Sequence, residues 1–156
     1  MHPKSVSGIL ARNFQFQFRF ALISEIGLVA LTLALMTALV QSVAPMWGAS
    51  RGRPALMQAG ASAAIVQLLL IAFAFACLVW AFAVSDFSVR VVATNSHTLK
   101  PLFYKITAAW GQHEGSMLLW VLVLALFGAA VAAFGKDLPA TLKARVLGVQ
   151  GLLGAT

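Results

Sequence analysis

Three long apolar runs separated by polar breaks organise the chain. The first extends from about Ile23 to Val43, the second from about Ala59 to Val84, and the third from Gly115 and Ser116 to about Phe134. In an α-helix, about 20 residues cross a hydrocarbon core of about 30 Å, so each run is long enough for one span. A fourth apolar run opens at Val146 and reaches only Thr156. That is about half a span, and it is expected to be a fourth helix cut short. Between the second and third runs, Leu102, Phe103, Ile106 and Trp110 recur at helical spacing, with Lys105 and Gln112 on the other side. Pro101 suits a first helical position, so an amphipathic helix lying at the interface is expected there. The pattern predicts an all-α, polytopic membrane protein with three complete transmembrane helices, a truncated fourth and one interfacial helix.

Polar and small residues inside the runs refine this reading. Glu25 and Thr32 share one face of the first helix, and Thr37 and Gln41 share another. Polar groups at such depth face protein rather than lipid. Pro45 is expected to end the first helix, Trp47 to sit at the interface, and Gly48 to Pro54 to form a loop. Gly60 and Ala64 form a small-residue stripe that admits a close neighbour, as do Ala125, Ala129 and Ala133 in the third run. Gln67 is the polar exception in the second run, Trp80 fits either an aromatic belt or a packing role, and Ser116 is expected to cap the third helix. Residues 1–21 differ from the rest, because Phe14, Phe16, Phe18 and Phe20 alternate with Gln15, Gln17 and Arg19. Period two reads as a strand, but a lone strand beside a membrane has no partner, so a flexible or interfacial extension is expected. No small-residue cleavage site follows to suggest a signal peptide.

Composition agrees with a membrane location. Of 156 residues, 61% are hydrophobic and 10% charged, against about 25% charged in a soluble domain. The net charge of +7 points to topology or anionic lipid rather than nucleic acid, since no basic run or stacking array accompanies it. The short loops 48–58 and 135–145 hold five Lys and Arg, and the longer segment 85–114 holds three. That asymmetry puts the short loops in the cytoplasm and residues 110–120 outside. Lys4, Arg12 and Arg19 argue the other way and are outweighed by the short loops. The single cysteine, Cys77, lies in an apolar run, and without a CxxC there is no basis for thiol-disulfide redox chemistry.

Chemically able side chains concentrate in Trp110-Gly-Gln-His-Glu-Gly-Ser-Met-Leu-Leu-Trp120. His113 and Glu114 admit three readings. Glu114 can favour a helix N-terminus while Trp110 and Trp120 anchor the interface. Alternatively, the indoles stack a flat hydrophobic ligand that His113 or Glu114 contacts. Zinc hydrolysis lacks its ligand set, because Leu118 stands where HExxH needs a second histidine. His97 lies in the same loop as His113, and two histidines beside tryptophans could approach a haem, which takes imidazole as an axial ligand. Arg90, Lys100 and Lys105 could pair with propionates or simply be solvated.

Asp86-Phe87-Ser88-Val89, Asn95-Ser96-His97, Leu99-Lys100-Pro101-Leu102, Tyr104-Lys105 and above all Trp110-Gly-x-His-Glu-Gly-Ser-Met-Leu-Leu-Trp120 resemble the cytochrome c-type biogenesis protein CcmF family. The similarity covers about Ile23 to the end and leaves residues 1–21 outside as an atypical extension, with 22–156 as an N-terminal membrane part. The resemblance implies a bacterial inner-membrane haem lyase subunit with the 110–120 motif facing the periplasm. It implies haem as cofactor, and a haem chaperone, apocytochrome c and a thiol-reducing maturation subunit as partners. It also implies that the tryptophan-rich haem segment and the haem-ligating histidines lie beyond Thr156, so the fragment alone is not expected to be catalytic. Trp110, His113, Glu114, Trp120, His97, Asn95 and Asp86 are then candidates for facing haem or a partner. A transporter or channel subunit using Glu25, Gln67 and Glu114 as an intramembrane polar path is the alternative. A purely structural assembly subunit is a third possibility.

Overall fold

A computed structural model describes the backbone from Val6 to Ala155, apart from Thr98 and Lys136, and the side chains from Leu22 onward with the same exceptions. The chain is all helical: α1 (Val6–Arg51), α2 (Pro54–Val84), α3 (Arg90–Asn95), α4 (Leu102–Ala108), α5 (His113–Phe134) and α6 (Ala140–Ala155). Among the described residues, three helices are long and apolar enough to cross a membrane: Leu22–Arg51 within α1, α2 and α5. α6 is shorter, at 16 residues.

The alternating residues 14–20 lie on helical backbone continuous with α1, and their side chains fall outside the described residues. A helix satisfies its backbone groups within itself, which a lone strand cannot do. Nor does Pro45 end the first helix; it lies inside α1, which continues to Arg51. The proline takes one amide donor from the helix, but its ring is fully buried and seats on Gly60 of α2. A Cβ at Gly60 would stand 2.8 Å from Pro45 Cβ and 2.9 Å from its Cγ, so the missing side chain makes the seat. The stop comes seven residues after Pro45, at Gly52 with φ 62°, where the Arg53 amide returns to the Gly48 carbonyl at 2.9 Å. This is a left-handed glycine turn followed by proline at the start of α2. The expected loop 48–54 therefore shrinks to Gly52 and Arg53, and the Arg51 guanidinium lies 5.3 Å from the Trp47 ring centre.

α1 and α2 form an antiparallel hairpin, α5 packs on α2, and α6 wedges against α1, α2 and α5. The interfaces are lined with small residues: Ala30, Ala34, Ala38, Ala63, Ala64, Ala74, Ala81, Ala125 and Ala129 are all buried. In lipid, helices gain little from expelling apolar groups and associate by close van der Waals approach. Ala133 is exposed, so the seam on α5 runs through Ala125, Gly128 and Ala129 instead. Gly128, Gly148 and Gly151 carry the rest of the close packing. A Cβ on Gly151 would lie 2.9 Å from both the Ala38 carbonyl oxygen and the Ser42 amide.

Buried polar groups tie this packing together. Gln41 of α1, fully buried, donates from Nε2 to the Leu147 carbonyl at 3.0 Å and to Gln150 Oε1, both on α6. Gln150 Nε2 donates in turn to the Leu124 carbonyl of α5 at 3.3 Å, across Gly128. The chain of donors crosses three helices, as expected for intramembrane amides that cannot turn to water. Thr37 donates to Leu33 O and Thr32 to Val29 O within α1.

α1 and α5 do not close on each other. Two apolar cavities open between them above α2, of about 270 and 320 Å³, and Leu31 and Leu118 line both.

Candidate functional site

The segment from Ser85 to Gln112 packs onto one end of the bundle. α2 stops at Ser85, whose left-handed backbone (φ 57°) lets its amide and that of Asp86 reach back to Phe82 O at 3.2 Å and Ala81 O at 2.9 Å. Asp86 Oδ1 then accepts hydrogen bonds from the Ser88 amide at 3.1 Å and hydroxyl at 2.6 Å, a turn chemistry suited to aspartate. Asp86 Oδ1 thus holds the turn, with the residue half-buried. α3 follows, a short helix that the polar composition of the segment concealed. Its Val92 is fully buried with Phe82, Ala81 and Ala109.

Asn95 holds the next junction. Its Nδ2 donates to Val91 O at 2.9 Å and to Gln112 Oε1 at 2.9 Å, which joins the end of α3 to the residue before α5. Lys100 Nζ donates to Asn95 O at 2.9 Å. Of the three basic residues considered for propionates, Lys100 is therefore engaged with the backbone. Arg90 is exposed at the start of α3, and Lys105 is half-buried on α4.

α4 begins one residue after Pro101, which occupies the position before the helix. Leu102, Phe103 and Tyr104 are all exposed. Ala109 is fully buried, and its carbonyl lies so close to Gly115 that a Cβ there would overlap the oxygen. Glycine at 115 thus lets the first turn of α5 press onto the turn after α4. Gln112, not Ser116, precedes the helix, and the Ser116 hydroxyl donates back to His113 O at 2.9 Å. Ser116 missed the capping role because the helix had already begun at His113. Glu114 falls in that first turn, where its charge complements the helix dipole.

The motif therefore divides into an inward and an outward set. Asn95, Gln112 and Gly115 are committed to holding the junction. His97, Trp110, His113, Glu114 and Trp120 are exposed, Trp120 by 71%. Met117 and Trp120 follow His113 on one side of α5, and both are exposed. Neither histidine lines either cavity. Among the described residues, no group of three or more His, Cys, Asp or Glu could hold a metal ion. Among the described residues, His97 and His113 do not line a haem-ligating pocket. Glu25 and Glu114 are exposed whereas Gln67 is buried, so the three residues of a polar path are not held in one buried channel.

Comparison with known proteins decides the family. The chain is 59% identical over 129 residues to the cytochrome c-type biogenesis protein CycK of Rhizobium meliloti (strain 1021), which covers 83% of this chain and 19% of the relative. It is 45% identical over 129 residues to the cytochrome c-type biogenesis protein CcmF of Escherichia coli (strain K12), covering 83% of this chain and 20% of the relative. The chain belongs to the CcmF/CycK cytochrome c-type biogenesis family. A solved structure, cytochrome c heme lyase CcmF, superposes with a TM-score of 0.80 at 27% identity, over 85% of this chain and 22% of the other. No family model matches. The chain spans about a fifth of the length of the curated CcmF and CycK relatives it matches.

Sequence reasoning picked out the exposed members of the motif but not the means that hold them. Gln41 and Gln150, 109 positions apart, gave no sign of pairing. The glycines spaced by three in Gly148, Gly151 and Gly154 were the available signal for a close helix contact on α6.

Proposed function

We propose that this chain serves cytochrome c maturation as part of a CcmF-type membrane protein, and that its role is to present a docking surface at the end of α5. The surface is Trp110, His113, Glu114 and Trp120, with His97 beside it, facing haem or the haem chaperone and apocytochrome c on the periplasmic side. The observation that supports it is the division of the motif. Asn95, Gln112 and Gly115 are spent on a rigid junction, and the side chains that this junction carries outward are tryptophans, a histidine and a glutamate. Large aromatic residues on a rigid, exposed support are the composition of recognition surfaces. In the family-length protein the thioether bonds would draw on the haem vinyl groups and the substrate thiols, with the protein positioning them.

The test is made in a family-length protein. His113→Ala and Trp120→Ala should each lower the amount of haem-stained cytochrome c at least several-fold, with the membrane level of the variant unchanged. Since both side chains are exposed, their loss should not unfold the bundle. Normal maturation in both variants would remove the docking role from this surface.

A further inference from the structure

We propose that the cleft between α1 and α5 is the seat of a transmembrane helix, namely the continuation of α6 in a family-length chain. The two cavities meet at Leu31 and Leu118, so they form one apolar cleft along the bundle with α2 as its floor. The end of α6 closes the lower cavity, because Gly154 and Ala155 line it together with Leu31, Ala34 and Leu35 of α1.

The register of α6 on α1 fixes where a continuation would run. Gly148 approaches Met46 Cγ at 2.5 Å and Ser42 O at 3.2 Å, and Gly151 approaches Ala38 O at 2.9 Å, measured to an added Cβ. Each turn up α6 therefore moves one turn back along α1, as in an antiparallel pair. Continued at the same pitch, a residue about two positions past Thr156 would stand beside Leu31, and one about six positions past beside Gly27 and Leu28. Gly27, Leu28 and Leu31 all line the upper cavity. The 16 residues of α6 cover about 24 Å and do not cross the hydrocarbon core, so a continuing helix needs a path in this direction. Relatives about four times as long contain the chain to supply it.

Lipid acyl chains are the competing occupant, and Gln67 argues against them. It lines the lower cavity at 1% exposure with Oε1 unpartnered. A neighbouring helix can offer that oxygen a side-chain donor, whereas an acyl chain cannot. The inference does not rest on the proposed function.

Disulfide cross-linking in a family-length protein, in its own membrane and with Cys77→Ser, tests the register. Leu31→Cys paired with a cysteine about two positions past Thr156 should give an intramolecular cross-link in most molecules. Moving the second cysteine about two positions along the helix turns it to the opposite face and should abolish the link. Leu118→Cys, on the other wall, should also link to the continuing helix, and it decides the matter if Leu31→Cys lowers the protein level. Absence of a cross-link to both walls in protein made at normal levels would overturn the proposal. So would a link that joins two chains, since that would make a second copy the occupant.

Discussion

Replacing Gln41 and Gln150 by methionine, singly and together, probes whether the amide chain fastens α6 to the bundle. Methionine keeps the unbranched shape that lies across Gly128 and removes only the polar atoms. Gln41→Met leaves Gln150 Oε1 without its donor and releases the Leu147 carbonyl; Gln150→Met leaves Gln41 Nε2 only that carbonyl and frees Leu124 O. Interhelical hydrogen bonds in membranes average about 0.6 kcal/mol and reach about 1.7. Each single variant breaks two such bonds, so each should cost about 1–2 kcal/mol. The double variant removes both partners of the central bond and should cost less than the sum of the singles, by about 0.6–1.7 kcal/mol. Cys77 is buried and is the only cysteine, so a thiol-reactive fluorophore reads unfolding directly as detergent-solubilised protein is warmed. At about 2–4 °C per kcal/mol for a chain of this size, the single variants should lose about 2–8 °C. Additive losses in the double variant would refute the reasoning, because they would mean that the two glutamines act on the fold independently.

Other substitutions test other contacts. Gly115→Ala places a methyl group into the Ala109 carbonyl. It should cost about 1–3 kcal/mol by overpacking and lower cytochrome c maturation in a family-length protein; unchanged unfolding temperature and maturation would show that the junction yields freely. Gly151→Ala presses on the α1 backbone at Ala38 and Ser42 and should destabilise by a similar amount, about 1–3 kcal/mol, read by the Cys77 assay. Asn95→Ala removes the bond to Gln112 and should speed hydrogen exchange at the start of α5 while leaving that of α2 unchanged. Equal protection in both would show that the bond does not hold the junction.

Much of the architecture was legible in the sequence because transmembrane length and apolarity are long-range signals. The three runs, Gly60 and Ala64 at a helix contact, and Glu114 in a first turn all follow from spacing alone. Pro45 misled because its meaning depends on a partner: the same residue ends a helix in solvent and continues it when a glycine on the next helix receives its ring. α3 escaped because its burial rests on one residue, Val92, too little to set a periodicity. Ser116 looked like a cap on the assumption that the apolar run marks the start of the helix, whereas the polar pair His113 and Glu114 forms its first turn. The division of the motif into holding and presenting residues could not be seen from composition, since Asn95 and His97, or Gln112 and His113, are equally polar neighbours.

The alanine-lined interfaces carry a consequence for how this bundle tolerates change. Where a soluble core answers to oiliness, these contacts answer to bulk. At Ala38 or Ala64, both fully buried, a serine adds one atom and can return its hydroxyl to the preceding turn, as Thr37 does to Leu33. A leucine at either place, though more apolar, would force two helices apart. Over time such sites would drift among glycine, alanine and serine while refusing the residues that membranes otherwise favour.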